Sequence, residues 1–173
     1  MPNLSQKERT LLEDEKSHEE LCIKKYGKYA SLAQDQELKN LFTQLEQQER
    51  QHLDTINQIL GGQVPQMQQG QSQSGGQSSG MNMMGGSQGS SMNMSGQSWK
   101  SQPNMGKGAM EADMDLCQDM LATEKYVSST YDTAIFEFRD KNIRNALNHI
   151  QKEEQEHGEA IFKYMNSKGG YQV

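Results

Sequence analysis

Apolar and aromatic positions recur at alternating spacings of three and four in four stretches of the chain, the period of a helix with one buried face. Two stripes are unbroken by turn residues: Leu38, Leu41, Leu45, Glu49, His52, Ile56 and Ile59, and Ile143, Leu147, Ile150, Glu154, His157, Ile161 and Tyr164. Each follows an aspartate placed to cap a helix, Asp35 in "AQDQELKNLF" and Asp140 in "FRDKNIRNAL". Ahead of these caps run Leu12, Glu19, Cys22, Tyr26, Tyr29 and Ala33, then Cys117, Glu124, Val127, Tyr131, Ile135 and Phe138. The pattern predicts two αα-hairpins turning near residues 35 and 140, at 8–60 and 110–168. Four helices with one apolar face each give an all-α four-helix bundle, a single domain over 1–173.

The two hairpins are one pattern written twice. Laid over each other at an offset of 105, residues 11–60 and 116–165 match at nine positions without a gap. The matches include Glu19/Glu124, Tyr26/Tyr131, Glu49/Glu154 and His52/His157. Nine matches are also within reach of chance similarity between helices. The kinds of residue that match argue for a repeat, and so for pseudo-twofold halves.

Between the halves, residues 61–107 are nearly all Gln, Ser, Gly, Asn and Met, and cannot bury enough apolar surface to fold alone. The sequence predicts a disordered crossover there. If the first helices of the two hairpins are antiparallel, it must run the bundle's length, roughly 36 Å for about 24 helical residues. A flexible coil of about 47 residues spans a comparable roughly 35–40 Å. A passive tether is its leading role. Lateral association, amine crosslinking through Gln, and Cu(I) binding or oxidant scavenging by Met are alternatives.

Composition narrows the function. Only 32% of the residues are hydrophobic, so the two hairpins must supply the whole core. A net charge of -6 without a basic patch argues against nucleic acid. The N-terminal "MPNLSQKERTLLEDEK" has no apolar run after its basic residues, so neither a signal peptide nor a membrane insertion is expected, and synthesis is expected in the cytoplasm. The cysteines, Cys22 and Cys117, form no C-x-x-C, which excludes a rubredoxin-type iron site within this sequence. Both read as small core residues; a disulfide between them is possible but not indicated.

Six ionisable residues stand in the apolar stripes: Glu19, Glu49, His52, Glu124, Glu154 and His157. A lone buried carboxylate costs several kcal/mol unless it shifts its pKa or finds a partner. Glu13, Glu46, Glu153, Glu156 and Glu159 lie off the stripes or at their edges and read as solvated. Glu49 and His52, and Glu154 and His157, are each three residues apart and share a helix face. Glu19 to Glu49 and Glu124 to Glu154 are both 30 residues, centred on the turns, so each hairpin brings a Glu level with a Glu-x-x-His pair. Four carboxylates and two imidazoles are the ligand set of a di-iron or di-manganese site in a helical bundle. The alternative is a metal-free bundle with buried polar clusters. Glu15 is a lesser candidate ligand, because its repeat partner is Met120. Tyr26 and Tyr131 read first as core aromatics, with a hydrogen bond to a ligand carboxylate or a redox role as the alternative. His18 and His149 read as surface residues.

These residues resemble the ferritin-like superfamily, with its pattern Glu, Glu-x-x-His, Glu, Glu-x-x-His. The resemblance covers roughly 105 of the 173 residues. Within it, the stretch "MLATEKYVSSTYDTAIFEFRDKNIRNALNHIQKEEQEHGEAIFKYM" looks most like the coat F family of bacterial endospore coat proteins. That resemblance implies a spore coat location, with other coat proteins or copies of the same chain as partners. It also implies two Fe or Mn ions, held for structure or used in a manganese catalase-like or rubrerythrin-like reaction on peroxide. The rubrerythrin-like reaction would need an external electron donor. Iron storage in a shell is disfavoured, since no shell-forming interface can be read.

Overall fold

The computed structural model describes residues 3–64 and 106–170. Four helices account for nearly all of them: α1 Gln6–Leu32, α2 Gln36–Leu60, α3 Lys107–Glu137 and α4 Lys141–Ser167. The crossover and the roles considered for it fall almost wholly outside the described residues.

Local chemistry sets the helix ends. Ser5 and Glu8 form a capping box at α1, each side chain accepting from the other's backbone N–H. Asp35 caps α2 by accepting from the Glu37 N–H at 2.9 Å, and Asp140 caps α4 through the Asn142 and Ile143 N–H groups. Gly62 and Gly169 follow α2 and α4 at φ 80° and 73°, left-handed backbone that glycine adopts without Cβ strain.

The helices pack as the hairpins α1–α2 and α3–α4, closed into a ferritin-like four-helix bundle by α1 against α3 and α2 against α4. Side-chain partners between α1 and α3 run in opposite directions along the chain: Lys7 with Glu137, Glu15 with Thr130, Tyr26 with Glu124, Tyr29 with Asp119. The two helices are therefore antiparallel, as a twofold relation of the halves requires.

The same relation ties the turns. Asp113, fully buried on α3, accepts the backbone N–H groups of Gln34 and Asp35 at 2.8 Å each. Glu8, at the repeat position on α1, accepts the backbone N–H of Arg139 at 2.9 Å and pairs with its guanidinium. Each hairpin thus ties off the other's turn. These N–H groups precede a helix and would otherwise lack acceptors.

The core consists of the four stripes with local changes. Phe42, rather than Leu41, is buried on α2, where its ring packs on Tyr26 and Tyr29; Leu41 lies at the edge. Tyr29 and Ile135 are only partly buried, and Met120, Leu121 and Ala134 join the core from α3. Cys22 and Cys117 are buried and free. No helix among the described residues is long and apolar enough to cross a membrane.

Candidate metal centre

All six polar stripe residues converge in the middle of the bundle, each at most 2% exposed. They form two overlapping groups of four. Glu19, Glu49, His52 and Glu154 make one; Glu49, Glu124, Glu154 and His157 make the other. Within each group the candidate ligand atoms lie within 4.8 Å of one another. Glu49 and Glu154 belong to both groups, so each group has two shared carboxylates, one carboxylate of its own and one imidazole. The His52 and His157 rings stack across the centre, 5.4 Å apart and 16° from parallel.

Both imidazoles turn Nδ1 toward the carboxylates. His52 Nδ1 lies 3.0 Å from Glu154 Oε1 and 3.4 Å from Glu49 Oε2; His157 Nδ1 lies 2.9 Å from Glu49 Oε1 and 3.5 Å from Glu154 Oε2. Their outer nitrogens differ. His52 Nε2 is 3.0 Å from Glu153 Oε2, whereas His157 Nε2 is buried without a hydrogen-bond partner. At the repeat position of Glu153 stands the exposed Gln48.

Tyr26 and Tyr131 reach across the hairpins. The Tyr26 hydroxyl donates to Glu124 Oε1, and the Tyr131 hydroxyl to Glu19 Oε1. The second oxygen of each glutamate, Oε2, has no hydrogen-bond partner. Each tyrosine thus fixes one oxygen of a carboxylate and leaves the other free. Burial, with the charges of Glu124 and of Glu19, pushes both hydroxyls well above the ordinary tyrosine range, so they remain donors.

The electrostatics ask for cations. Burial pushes Glu19 and Glu124 well above the usual carboxylate range, and repulsion from Glu154 and Glu49 adds to it. Burial pushes the imidazoles down, but the surrounding carboxylates more than reverse this. His157 rises to about 9, and His52 is raised well above its ordinary value. Burial also pushes Glu49 and Glu154 up, yet the imidazoles beside them bring both below the ordinary value.

The fit to divalent ions rests on orphaned atoms. Glu19 Oε2, Glu49 Oε2, Glu124 Oε2, both Glu154 oxygens, His52 Nδ1 and His157 Nε2 are buried without a hydrogen-bond partner. Every one belongs to the six residues. Buried polar atoms are normally satisfied, and a cluster of unsatisfied carboxylate oxygens with two imidazoles suits hard or borderline cations such as Fe or Mn. The two groups of four can hold a di-metal site.

Three other residues stand apart from their sequence readings. Glu15 is buried but joins neither group; its carboxylate accepts from Thr130 Oγ1 at 2.9 Å and lies 3.3 Å from His18. His18 is therefore half-buried and partnered rather than a free surface residue. Glu153 is half-buried, not solvated, because it reaches from α4 to His52 on α2. Its signal in the sequence was adjacency to Glu154, which places it on the flank of the same face.

A bundle of two antiparallel hairpins around paired Glu-x-x-His motifs defines the ferritin-like class. Residues 112–173, most of α3 and the whole of α4, match the Coat F domain family. No significant match is found among curated proteins or solved structures.

Proposed function

We propose that this chain is a spore coat protein whose bundle binds two Fe or Mn ions between its hairpins. The observation that carries the metal reading is that all the orphaned buried side-chain atoms among the described residues belong to Glu19, Glu49, His52, Glu124, Glu154 and His157. Glu49 and Glu154 would serve both ions; Glu19 with His52, and Glu124 with His157, would complete one each. Since each group draws ligands from both hairpins, the ions would also hold the halves together. The Coat F match supports the coat location, with other coat proteins or further copies of the chain as partners.

A second reading, an oxidoreductase acting on peroxide, is favoured by a groove that reaches two of the six residues. A bound pair of redox-active ions would supply one electron at each metal. Disproportionation of two hydrogen peroxide molecules into two waters and dioxygen balances without an external donor. The chain's part would be to hold Glu19 and Glu124 through the tyrosine hydroxyls.

Elemental analysis of the purified protein tests the proposal, beside the variant Glu49→Ala, His52→Ala, Glu154→Ala, His157→Ala. About two Fe or Mn per chain, lost in the variant, is the expected result. No metal after anaerobic reconstitution would leave a metal-free structural bundle.

A further inference from the structure

The two faces of the bundle that lie over the centre are not equivalent, although the repeat places matching positions on both. On the face between α3 and α4 lies a groove of about 520 Å³. Its wall carries Ser128 and Gln151, joined by a hydrogen bond of 2.9 Å from Gln151 Nε2 to the Ser128 carbonyl. Its lining also includes Glu124 and Glu154, themselves 1% and 0% exposed. Leu121, 9% exposed, and Gly158 line it as well. A Cβ on Gly158 would sit 3.5 Å from Leu121 Cδ1, so the leucine lies over the space that the glycine leaves.

The matching face between α1 and α2 carries bulkier side chains. Ile23 stands at the position of Ser128, and Leu53 at that of Gly158. Glu46, at the position of Gln151, lies on Gly27, where a Cβ would come within 3.2 Å of its Oε2, and is paired with Arg50 at 2.6 Å. A glycine inside a helix is unfavourable relative to alanine, and α4 carries one where α2 has leucine. Opening a path is a physical reason for that choice.

We infer that the α3–α4 groove is the route by which a small polar ligand, such as hydrogen peroxide or azide, reaches the centre, with Leu121 against Gly158 as its constriction. The inference rests on the metal-centre reading above. Glu124 and Glu154 belong together to the group completed by His157, so the ion held there is the one the ligand meets. The near-complete burial of both carboxylates excludes bulky substrates, and the polar wall suits a hydrogen-bonding ligand over an apolar one.

The test uses azide as the probe on the full-length, metal-loaded protein, with association followed by stopped-flow absorbance and metal content measured for every variant. Leu121→Ala should speed azide association severalfold. Gly158→Leu, which copies α2, should slow it severalfold, and Leu53→Ala on the other face should leave it unchanged. If Gly158→Leu fails to fold, Gly158→Ala, whose Cβ fits at ordinary contact distance, should still slow association. Unchanged rates in the Leu121 and Gly158 variants at full metal content would overturn the route alone, as would an equal effect from Leu53→Ala. A parent protein that holds no metal would overturn the underlying reading and this one with it.

Discussion

The two hairpins carry the same candidate ligands and differ in what surrounds them. In the first, His52 has its outer nitrogen on Glu153; in the second, His157 has none, and Gln48 occupies the equivalent place. The first presents Leu53 and Ile23 on its outer face, the second Gly158 and Ser128. The repeat therefore keeps the donor set while leaving each group of four a different environment. His52 is held through its outer nitrogen by Glu153, and His157 through its inner nitrogen by Glu49, on the side where the groove lies.

The largest effect should separate shared from private ligands. Glu154→Ala removes a carboxylate common to both groups, and elemental analysis should show both ions lost. His52→Ala or His157→Ala should leave about one ion per chain. Retention of one ion by Glu154→Ala would break the picture of overlapping groups.

Next comes the outer nitrogen. Glu153→Gln should weaken metal binding by about 10–100-fold in a chelator competition, the usual effect of losing a partner to a ligating histidine. Gln48→Glu should strengthen it by giving His157 an equivalent acceptor. If neither changes affinity, the difference between the hairpins has no bearing on the ions.

Removing the metal should expose a pH dependence that loading abolishes. His157 in the metal-free fold is raised from 6.5 to about 9. A raised histidine adds stability below its unfolded value, and that contribution is lost as pH rises through the folded value. Denaturant midpoints of metal-free protein should therefore fall between about pH 6.5 and 9. The loaded protein should not follow, since its ligands are already deprotonated. Metal affinity should rise over the same interval.

The turn ties should respond to acid instead. Glu8 is held down to about 2 by the Arg139 guanidinium, against the opposing effect of burial. A depressed carboxylate stabilises above its unfolded value and loses that contribution as pH falls toward the folded one. Glu8→Gln should cost about 2 kcal/mol at neutral pH and flatten the stability profile between its ordinary value of 4.5 and about 2. The smallest effect belongs to the open face: Gly158→Ala should stabilise α4 by about 1 kcal/mol, seen as a higher Tm.

The sequence by itself determined the four helices, the paired turns and the six residues at the centre. Helical period assigns each residue to a face, and equal spacing about two turns puts Glu19 level with Glu49 and Glu124 level with Glu154. Those are local rules, and they say nothing of which helix a face meets. Only the tertiary structure decided that Tyr26 and Tyr131 cross to the opposite hairpin's glutamate, and that Glu8 and Asp113 close each other's turns. It also took Glu153 out of solvent by setting α4 beside α2, and turned Gly158 from a weak helix residue into the floor of a groove. All but the last depend on contacts between residues about a hundred positions apart, whose geometry is fixed by how the hairpins dock; the groove depends on how α3 and α4 dock within one hairpin.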